Sequence, residues 1–365
     1  MFYLKRIKII NFRCFDRKEI ELLDKINIIV GDNAVGKTSI AESVYLLSCC
    51  KSHRTNSDND ILKKGKDFYT LIADVVLNPK ESDNIKLCFD GKGKKVLKNE
   101  KLYPNLSDYI GYIHSVIFCP EDLKLISGEP SLRRRFLDLY ISQIDKDYLI
   151  SLIKYKKILK NRNEYLKKSF ENVDLIYLET ITNALINEGK IIIDKRKEYI
   201  NRINDHFNDV IAVISGNEEC GKLVYNPNVS VENFQSKMKE NLEKDLIMQT
   251  TLFGPHKDDM EILIDNEKAS VFASQGQQRT LALALKLAQA YVVKKKSERI
   301  IIILDDVFAE LDKKRQNNII KILNYDCQII ITTTSIDELS KSVLKNSNVI
   351  EIDKGGDTNE WKRLW

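Results

Sequence analysis

Residues 31–39 read Gly31-Asp32-Asn33-Ala34-Val35-Gly36-Lys37-Thr38-Ser39, a run that fits the phosphate-loop pattern GxxxxGK[ST]. Successive backbone N–H groups of such a loop point at a phosphate, and the next helix adds the dipole of its N-terminus. An apolar strand signal precedes the run and a helical pattern follows it, a context that a chance glycine turn seldom has. Residues 31–39 are therefore predicted to bind ATP. Lys37 is expected to reach the β- and γ-phosphates, and Thr38 to hold Mg²⁺ through its hydroxyl.

A second strand signal far downstream ends in two adjacent acids. The apolar run Ile300–Leu304 is followed directly by Asp305 and Asp306, which is the form of a Walker B motif. Asp305 is predicted to order the Mg²⁺ shell, and Asp306 to polarise the attacking water as a general base. A buried strand followed by a capping aspartate is the alternative, and the phosphate loop makes it the weaker one. Lys37, Asp305 and Asp306 are thus the predicted catalytic residues.

Two further segments narrow the class to ATPases of the ABC type. The run Ser274-Gln-Gly276-Gln277-Gln278-Arg279 opens a long helical pattern about 30 residues before Asp305, the position of an ABC signature motif. In ABC ATPases this segment contacts the γ-phosphate held by the opposite subunit, so its presence predicts an ATP-dependent homodimer. The alternative is an ordinary helix capped by Ser274. Asp312 lies in a segment similar to a D-loop, and Thr333 stands where many ABC proteins carry a switch histidine.

The rest of the chain predicts an α/β protein of two domains. Short alternating strands between residues 70 and 103 indicate an antiparallel meander beside the mixed sheet of an ABC-type ATPase head. Long helical patterns with many charges follow, and the strand pattern of the head then resumes. We predict an ATPase domain in two parts, residues 1–130 and 246–365, and an inserted, mainly helical domain at 131–245.

Composition limits the classes of function that remain. Of 365 residues, 43% are hydrophobic and 30% charged, and the formal net charge is only +5. Because this net charge is small, charge alone argues only weakly for a polyanionic partner. The surplus of basic residues lies between Arg133 and Arg202. We expect a cytoplasmic protein without membrane contact, for three reasons. The seven cysteines form no CxxC pair, the sequence shows no signal-peptide pattern, and no apolar run is long enough to span a membrane.

These motifs resemble the RecF family, a bacterial recombination-repair relative of the SMC ATPases, over essentially the whole chain. Besides the segments already quoted, the matching stretches are Asn11-Phe-Arg-Cys-Phe15, Lys51-Ser-His-Arg-Thr55, Phe118-Cys-Pro-Glu-Asp122, Leu132-Arg-Arg-Arg-Phe-Leu-Asp138, Tyr155-Lys-Lys-Ile-Leu-Lys-Asn-Arg-Asn163 and Gly254-Pro-His-Lys-Asp-Asp259. The phosphate loop departs from the family in having Asp32 and Ala34 where proline and glycine are common, but its spacing is kept.

The resemblance implies an ATP-dependent DNA-binding dimer of recombinational repair, replication-fork maintenance and the SOS response. Such a protein hydrolyses ATP slowly, acts at gapped duplexes and junctions of single- and double-stranded DNA, and assists RecA loading with RecO and RecR. The resemblance also places Arg13 and Arg54 at the nucleotide-binding edge, where either contacts phosphate or responds to DNA, or is an ordinary surface cation. Glu121 would occupy the Q-loop position. Arg133, Arg134, Arg135 and His256 would hold the two lobes together.

DNA contact by the helical insert is a separate expectation. Its richest basic segment contains Lys154, Lys156, Lys157, Lys160, Arg162, Lys167 and Lys168. Binding through these residues would have little sequence preference and a steep salt dependence, whereas a run of charges can equally be a solvated face.

Other classes remain as alternatives. The ATPase subunit of a transporter predicts a switch histidine and a short helical subdomain, and this chain has neither pattern. An SMC-like structural ATPase separates its lobes by hundreds of residues of coiled coil, whereas the insert here allows an arm of only ~60 Å at 1.5 Å per helical residue. The signature helix argues against a small-molecule kinase.

Overall fold

Two compact units make up the chain. The computed structural model describes residues 2–168, 173–216, 219–308, 311, 313–323, 327–345 and 347–353. The first unit comprises Met1–Asp122, Ala212–Asn217 and Leu283–Trp365, and the second comprises Leu123–Ile211 and Glu218–Ala282. The second unit starts before and ends after the predicted insert of residues 131–245. One reason is that the strand Asp259–Ile264, which follows residue 245, pairs with the strand Gly221–Asn226 inside the predicted insert.

The elements follow one another in this order. The strands are β1 (Tyr3–Phe12), β2 (Phe15–Glu21), β3 (Ile26–Val30), β4 (Tyr69–Asn78), β5 (Glu81–Phe89), β6 (Lys94–Lys98), β7 (Lys101–Leu102), β8 (His114–Phe118), β9 (Gly221–Asn226), β10 (Asp259–Ile264), β11 (Glu267–Lys268), β12 (Ile300–Asp305), β13 (Gln328–Thr333) and β14 (Ser347–Glu351). The helices are α1 (Lys37–Cys49), α2 (Leu106–Tyr109), α3 (Leu123–Ser127), α4 (Pro130–Ile144), α5 (Lys146–Lys168), α6 (Leu175–Ser215), α7 (Phe234–Glu240), α8 (Leu242–Met248), α9 (Ala269–Phe272), α10 (Gln275–Lys296), α11 (Lys313–Leu323) and α12 (Lys341–Leu344).

The first unit contains two sheets. The antiparallel sheet has the strand order β2-β1-β4-β5-β6-β7, and the alternation of buried and exposed residues along β4 and β5 matches a sheet with one face in the core. The other sheet is parallel, with the order β14-β3-β13-β12-β8. Its central strands are buried along their whole length, as expected when both faces are covered. The predicted α/β ATPase head with an antiparallel meander is confirmed.

Helix α1 lies in the core that joins these two sheets. Ile40 and Val44 on α1 belong to the same buried cluster as Ile9 of β1 and Ile303 of β12. The buried side-chain amide of Gln328, at the start of β13, donates to the carbonyls of Leu4 and Leu23 at 2.8 Å each. One amide thus ties the parallel sheet to the antiparallel one, and α1 holds the phosphate loop at a fixed place between them.

The second unit is mainly helical and carries a small sheet in the order β11-β10-β9. Buried ion pairs fix the segment Gly254–Asp259 inside this unit. Arg133 makes a bidentate contact with Asp259, at 2.7 and 2.9 Å, and the buried Arg196 pairs with Asp258 at 3.0 Å. The hydrogen bonds of His256 to the Tyr155 hydroxyl and the Thr251 carbonyl are also internal to this unit. These contacts are not the bridge between lobes that the resemblance implied.

Arg162 was counted with the basic residues of the insert that were expected to touch DNA, and the structure corrects this. Its side chain is fully buried on α5, where it pairs with Asp245 at 2.8 Å and donates to the hydroxyl of Thr251. Arg162 therefore stabilises the second unit and does not reach a DNA backbone.

Among the helices of the described residues, none has the length and apolar character needed to span a membrane.

Candidate nucleotide-binding site

The phosphate loop connects β3 to α1 in a conformation that only certain residues can adopt. Gly36, just before α1, has φ +107°, and Ala34 has φ +66°. A Cβ atom at position 36 would also lie 2.4 Å from the ring of Phe15, so glycine is required there by both conformation and space. Asp32, Asn33 and Ala34 are exposed. The loop is therefore rigid at its base and open at its tip.

Lys37, the first residue of α1, folds back across the loop. Its ammonium donates to the carbonyls of Gly31 at 2.8 Å and of Asp32 at 3.0 Å, and the side chain is 4% exposed. An ammonium whose hydrogen bonds within the described residues go to neutral carbonyls can exchange them for charged phosphate oxygens at a gain. The next residues, Thr38 and Ser39, start the first turn of α1, where unpaired backbone N–H groups favour an anion.

The two predicted acids stand next to this loop. Asp305 ends β12 and is buried, and burial raises the pKa of its carboxyl to about 6. Hydrogen bonds from Thr332 and Thr38 act in the opposite direction. Burial also raises the pKa of Asp306, which the charge of Lys37 offsets in part. The structure thus brings together Thr38, Asp305, Asp306 and Lys37.

A hydroxyl and a carboxylate in hydrogen-bond contact suit Mg²⁺. This ion usually binds one or two protein oxygens and completes its shell with phosphate oxygens and water. Thr38 and Asp305 are the pair that would hold it, and burial is the largest cause of the raised pKa of Asp305.

Arg13 and Arg54 both face a residue that the sequence analysis missed. Glu42 lies on α1 with a side chain that is 0% exposed, and Arg13 contacts both of its oxygens at 2.8 and 2.6 Å. Burial alone would raise the pKa of Glu42, but Arg13 and Ser52 hold it below its usual range. Arg54 is 3.7 Å from Glu42 and its side chain is 38% exposed. Arg13 therefore stabilises the fold by pairing with Glu42, whereas the Arg54 side chain is more exposed and makes only a long contact with that acid. The signal for Glu42 in the sequence is an acid between the apolar residues Ala41 and Val44 of a helix.

The predicted Q-loop residue lies close to the acids. Glu121 is exposed in a short 3-10 turn, Pro120–Asp122, that follows β8. Its charge contributes to raising the pKa of Asp305. The neighbouring Asp122 pairs with Lys286 at 2.9 Å, which fixes the turn.

Thr333 was predicted to stand at the switch-histidine position, and Asp312 to lie in a segment similar to a D-loop. Thr333 ends β13, and its hydroxyl proton has two acceptors within reach, the Ser335 carbonyl at 3.1 Å and a Glu338 carboxylate oxygen at 3.0 Å. Glu338, which the sequence analysis also missed, adds a negative charge that raises the pKa of Asp306. Asp312 lies outside the described residues.

The predicted signature segment begins α10 in a reciprocal cap. The Ser274 hydroxyl accepts from the N–H of Gln277 at 3.2 Å, and the Gln277 side chain accepts from the N–H of Ser274 at 2.9 Å. The capping role considered as the alternative is therefore present. Ser274 and Gly276 are exposed, and a Cβ at Gly276 would meet only Ser274 Oγ, at 4.0 Å. Packing within the chain does not require glycine at position 276.

Comparison with known proteins agrees with this geometry. The model of the AAA ATPase domain family matches residues 2–337. DNA replication and repair protein RecF of Lactobacillus johnsonii is 36% identical over 97% of this chain and 98% of the relative. RecF of Bacillus thuringiensis is also 36% identical, over 97% of each chain.

Solved structures show the same architecture. The structure of the recombination mediator protein RecF with ATP in the RecFOR pathway has a TM-score of 0.89 at 30% identity, with 98% of both chains covered. An Smc head domain from Pyrococcus furiosus has a TM-score of 0.55 at 16% identity, covering 100% of this chain and 96% of that one, which shows the fold alone.

The parallel sheet, phosphate loop and paired acids define a P-loop ATPase head of the ABC and SMC type. Within that class, the chain belongs to the RecF family, whose members function in DNA replication and repair, and it shares their ATP-binding head.

Proposed function

We propose that this chain closes as a homodimer around ATP and Mg²⁺ on DNA, at gapped duplexes or junctions of single- and double-stranded DNA. Weak, DNA-stimulated hydrolysis then ends the DNA-bound state. Acting with RecO and RecR, the dimer would assist RecA loading. Lys37 and Thr38 bind the phosphates and Mg²⁺, Asp305 orients the metal, and Asp306 is the general base.

The observation that carries the proposal is an exposed glycine, Gly276, in the first turn of α10. Glycine has a lower helix propensity than alanine, and neither a positive φ nor a close neighbour among the described residues requires it at position 276. Absence of a side chain is useful where another molecule approaches the backbone closely. The exposed Ser274 hydroxyl and the N-terminus of α10 lie beside it. This surface suits the γ-phosphate of ATP held by a second copy.

Sedimentation of the purified protein tests dimer formation. The wild type should be monomeric without nucleotide and dimeric with ATP and Mg²⁺. Gly276→Ala should fold and bind ATP as the wild type does but should dimerise less, since its methyl group occupies the space needed by phosphate. Gly93→Ala is the matched control, because a Cβ at Gly93, like one at Gly276, has no neighbouring atom closer than 4.0 Å. A wild type that stays monomeric with ATP, with and without gapped DNA, would contradict the proposal.

The DNA contact is proposed for exposed lysines of α5 that lack an acidic partner among the described residues. These are Lys157, Lys167 and Lys168. Three other exposed lysines of the helix are already paired with acids: Lys154 with Glu188, Lys156 with Asp138 and Lys160 with Glu164. An unpaired lysine that contacts a phosphate releases a counterion, so each contact steepens the salt dependence of binding.

Two triple-alanine variants separate these sets. Replacing the unpaired lysines should reduce the slope of log K against log[salt] by up to ~2–3, at about 0.7–0.9 per lost phosphate contact. Replacing the paired lysines should change the slope much less. Equal slopes for the wild type and both variants would exclude α5 as the DNA contact.

A further inference from the structure

Thr332 lies beside the Walker B acids, on the strand next to theirs. Strand β13 is placed between β3, which leads into the phosphate loop, and β12, which ends in Asp305. In the parallel register Thr332 is paired with Asp305 on one side and with Ile29 on the other. Its side chain is fully buried. The threonine is therefore fixed at the centre of the edge where the phosphate loop and the acids meet.

One hydroxyl group of Thr332 contacts both acids. It donates its proton to Asp305 Oδ1 at 2.6 Å and accepts a hydrogen bond from the backbone N–H of Asp306 at 3.0 Å. A hydroxyl has a single proton and two lone pairs, so this pair of contacts uses it as donor and acceptor at once. The orientation of the Asp305 carboxylate and the position of the Asp306 backbone are thus set by the same atom.

The backbone of Asp306 needs such support. Its φ of +53° is in the left-handed region, which residues other than glycine rarely adopt. The other acceptor of its N–H is the carbonyl of Thr332, at the longer distance of 3.3 Å. Without the hydroxyl, the turn that presents Asp306 would depend on that single long hydrogen bond, and the Asp305 carboxylate would lose its donor on β13.

We propose that Thr332 is a positioning residue for ATP hydrolysis, whose hydroxyl holds the metal-orienting carboxylate of Asp305 and the turn carrying the general base Asp306 in one fixed arrangement. This inference rests on the proposed roles of those two acids. Catalytic groups displaced by about 1 Å can lose a factor of ~100 in rate, so the loss of one shared hydrogen-bonding atom should be visible in turnover.

The test compares two substitutions at this position. Thr332→Val keeps the shape of the side chain and removes the hydroxyl, whereas Thr332→Ser keeps the hydroxyl and removes the methyl group. Thr70→Val is the matched control, since it removes a hydroxyl from another buried threonine of the first unit, one that contacts Cys88. For each variant, kcat, the half-saturating Mg²⁺ concentration, the affinity for ATP without Mg²⁺, and the urea midpoint are measured.

Thr332→Val should lower kcat by roughly 10- to 100-fold and raise the half-saturating Mg²⁺ concentration, because misplacement affects the chemical step and the metal. Its affinity for ATP without Mg²⁺ should stay as in the wild type, since Lys37 and the loop are unchanged. Thr332→Ser should recover most of the turnover. Thr70→Val should keep wild-type kinetics.

Other results would overturn the inference. Equal loss of kcat in the valine and serine variants would show that the methyl group, and therefore packing, is what matters. Full turnover in a folded Thr332→Val protein would remove any positioning role. A wild type with no Mg²⁺-dependent turnover, or a Lys37→Met protein that retains it, would instead contradict the proposed function itself.

Discussion

Replacing Asp305 by asparagine removes a carboxylate that the fold disfavours, and its effect on stability can be worked out. Burial raises the pKa of Asp305 from 3.8 to about 6. At about 1.4 kcal/mol per unit, the ionised group costs the nucleotide-free protein up to ~3 kcal/mol at neutral pH. The amide oxygen of asparagine can still accept the hydrogen bond from Thr332. Asp305→Asn should therefore be more stable than the wild type and inactive as a Mg²⁺-dependent ATPase.

The stability difference between Asp305→Asn and the wild type should depend on pH. Because the pKa is higher in the folded state, the folded protein keeps this proton to higher pH than the unfolded chain does. The stabilising contribution of the neutral carboxyl is complete below about pH 4, is lost between about pH 4 and 6, and is absent above that range. The advantage of Asp305→Asn should thus be near zero at pH 4 and reach its full size by pH 7.5.

Thermal unfolding followed by circular dichroism, in EDTA and without nucleotide, measures this difference. For domains of 150–250 residues, 1 kcal/mol corresponds to about 2–4 °C, so Tm should rise by up to ~10 °C at pH 7.5. Asp138→Asn is the control, and its effect on stability should have the opposite sign. Burial would raise the pKa of Asp138 too, but Arg196 and Lys156 hold it at about 2, so its loss should destabilise. An Asp305→Asn protein less stable than the wild type at pH 7.5 would refute the reasoning.

Two further substitutions test the surroundings of the phosphate loop. Arg13→Gln leaves the fully buried Glu42 without its bidentate partner and should lower the free energy of unfolding, measured by urea titration, by ~3 kcal/mol. Arg54→Gln should lower it by less than ~1 kcal/mol. Similar losses in the two variants would contradict a structural role specific to Arg13. Gly36→Ala places a methyl group 2.4 Å from the Phe15 ring, at a residue whose φ is +107°. This variant should no longer bind ATP, as measured with a fluorescent ATP analogue. A dissociation constant equal to that of the wild type would show that the loop adapts to the methyl group.

The phosphate loop and the paired acids could be predicted from sequence because their signals are local. A strand, a glycine-rich turn and a helix follow each other within residues 26–49, and Asp305 and Asp306 directly follow an apolar run. The contacts missed by sequence reasoning join residues that are distant in the chain. Arg13 meets Glu42 across 29 positions, and Thr332 meets Asp305 only because β13 and β12 pair in one register. Strand register is set by the packed sheet, so no local pattern reports it.

Arg162 shows a different limit. The basic segment of α5 was interpreted as one surface, yet Tyr155, Arg162 and Leu166 are all buried. Their spacing of seven and four residues places them on the same face of a helix. Helical periodicity therefore contained the signal that Arg162 points inward, and counting charges without regard to face concealed it.

Mixing two inactive variants tests the composite ATP site most directly. Lys37→Met should bind no ATP but keeps its signature segment, and Ser274→Arg should bind ATP but cannot offer that segment to a partner. In a symmetric dimer each heterodimer would contain one intact site, so an equimolar mixture should recover about a quarter of wild-type turnover. Each variant alone should be inactive. A mixture that stays inactive, with both variants folded and Ser274→Arg still binding ATP, would contradict ATP hydrolysis between two copies of this chain.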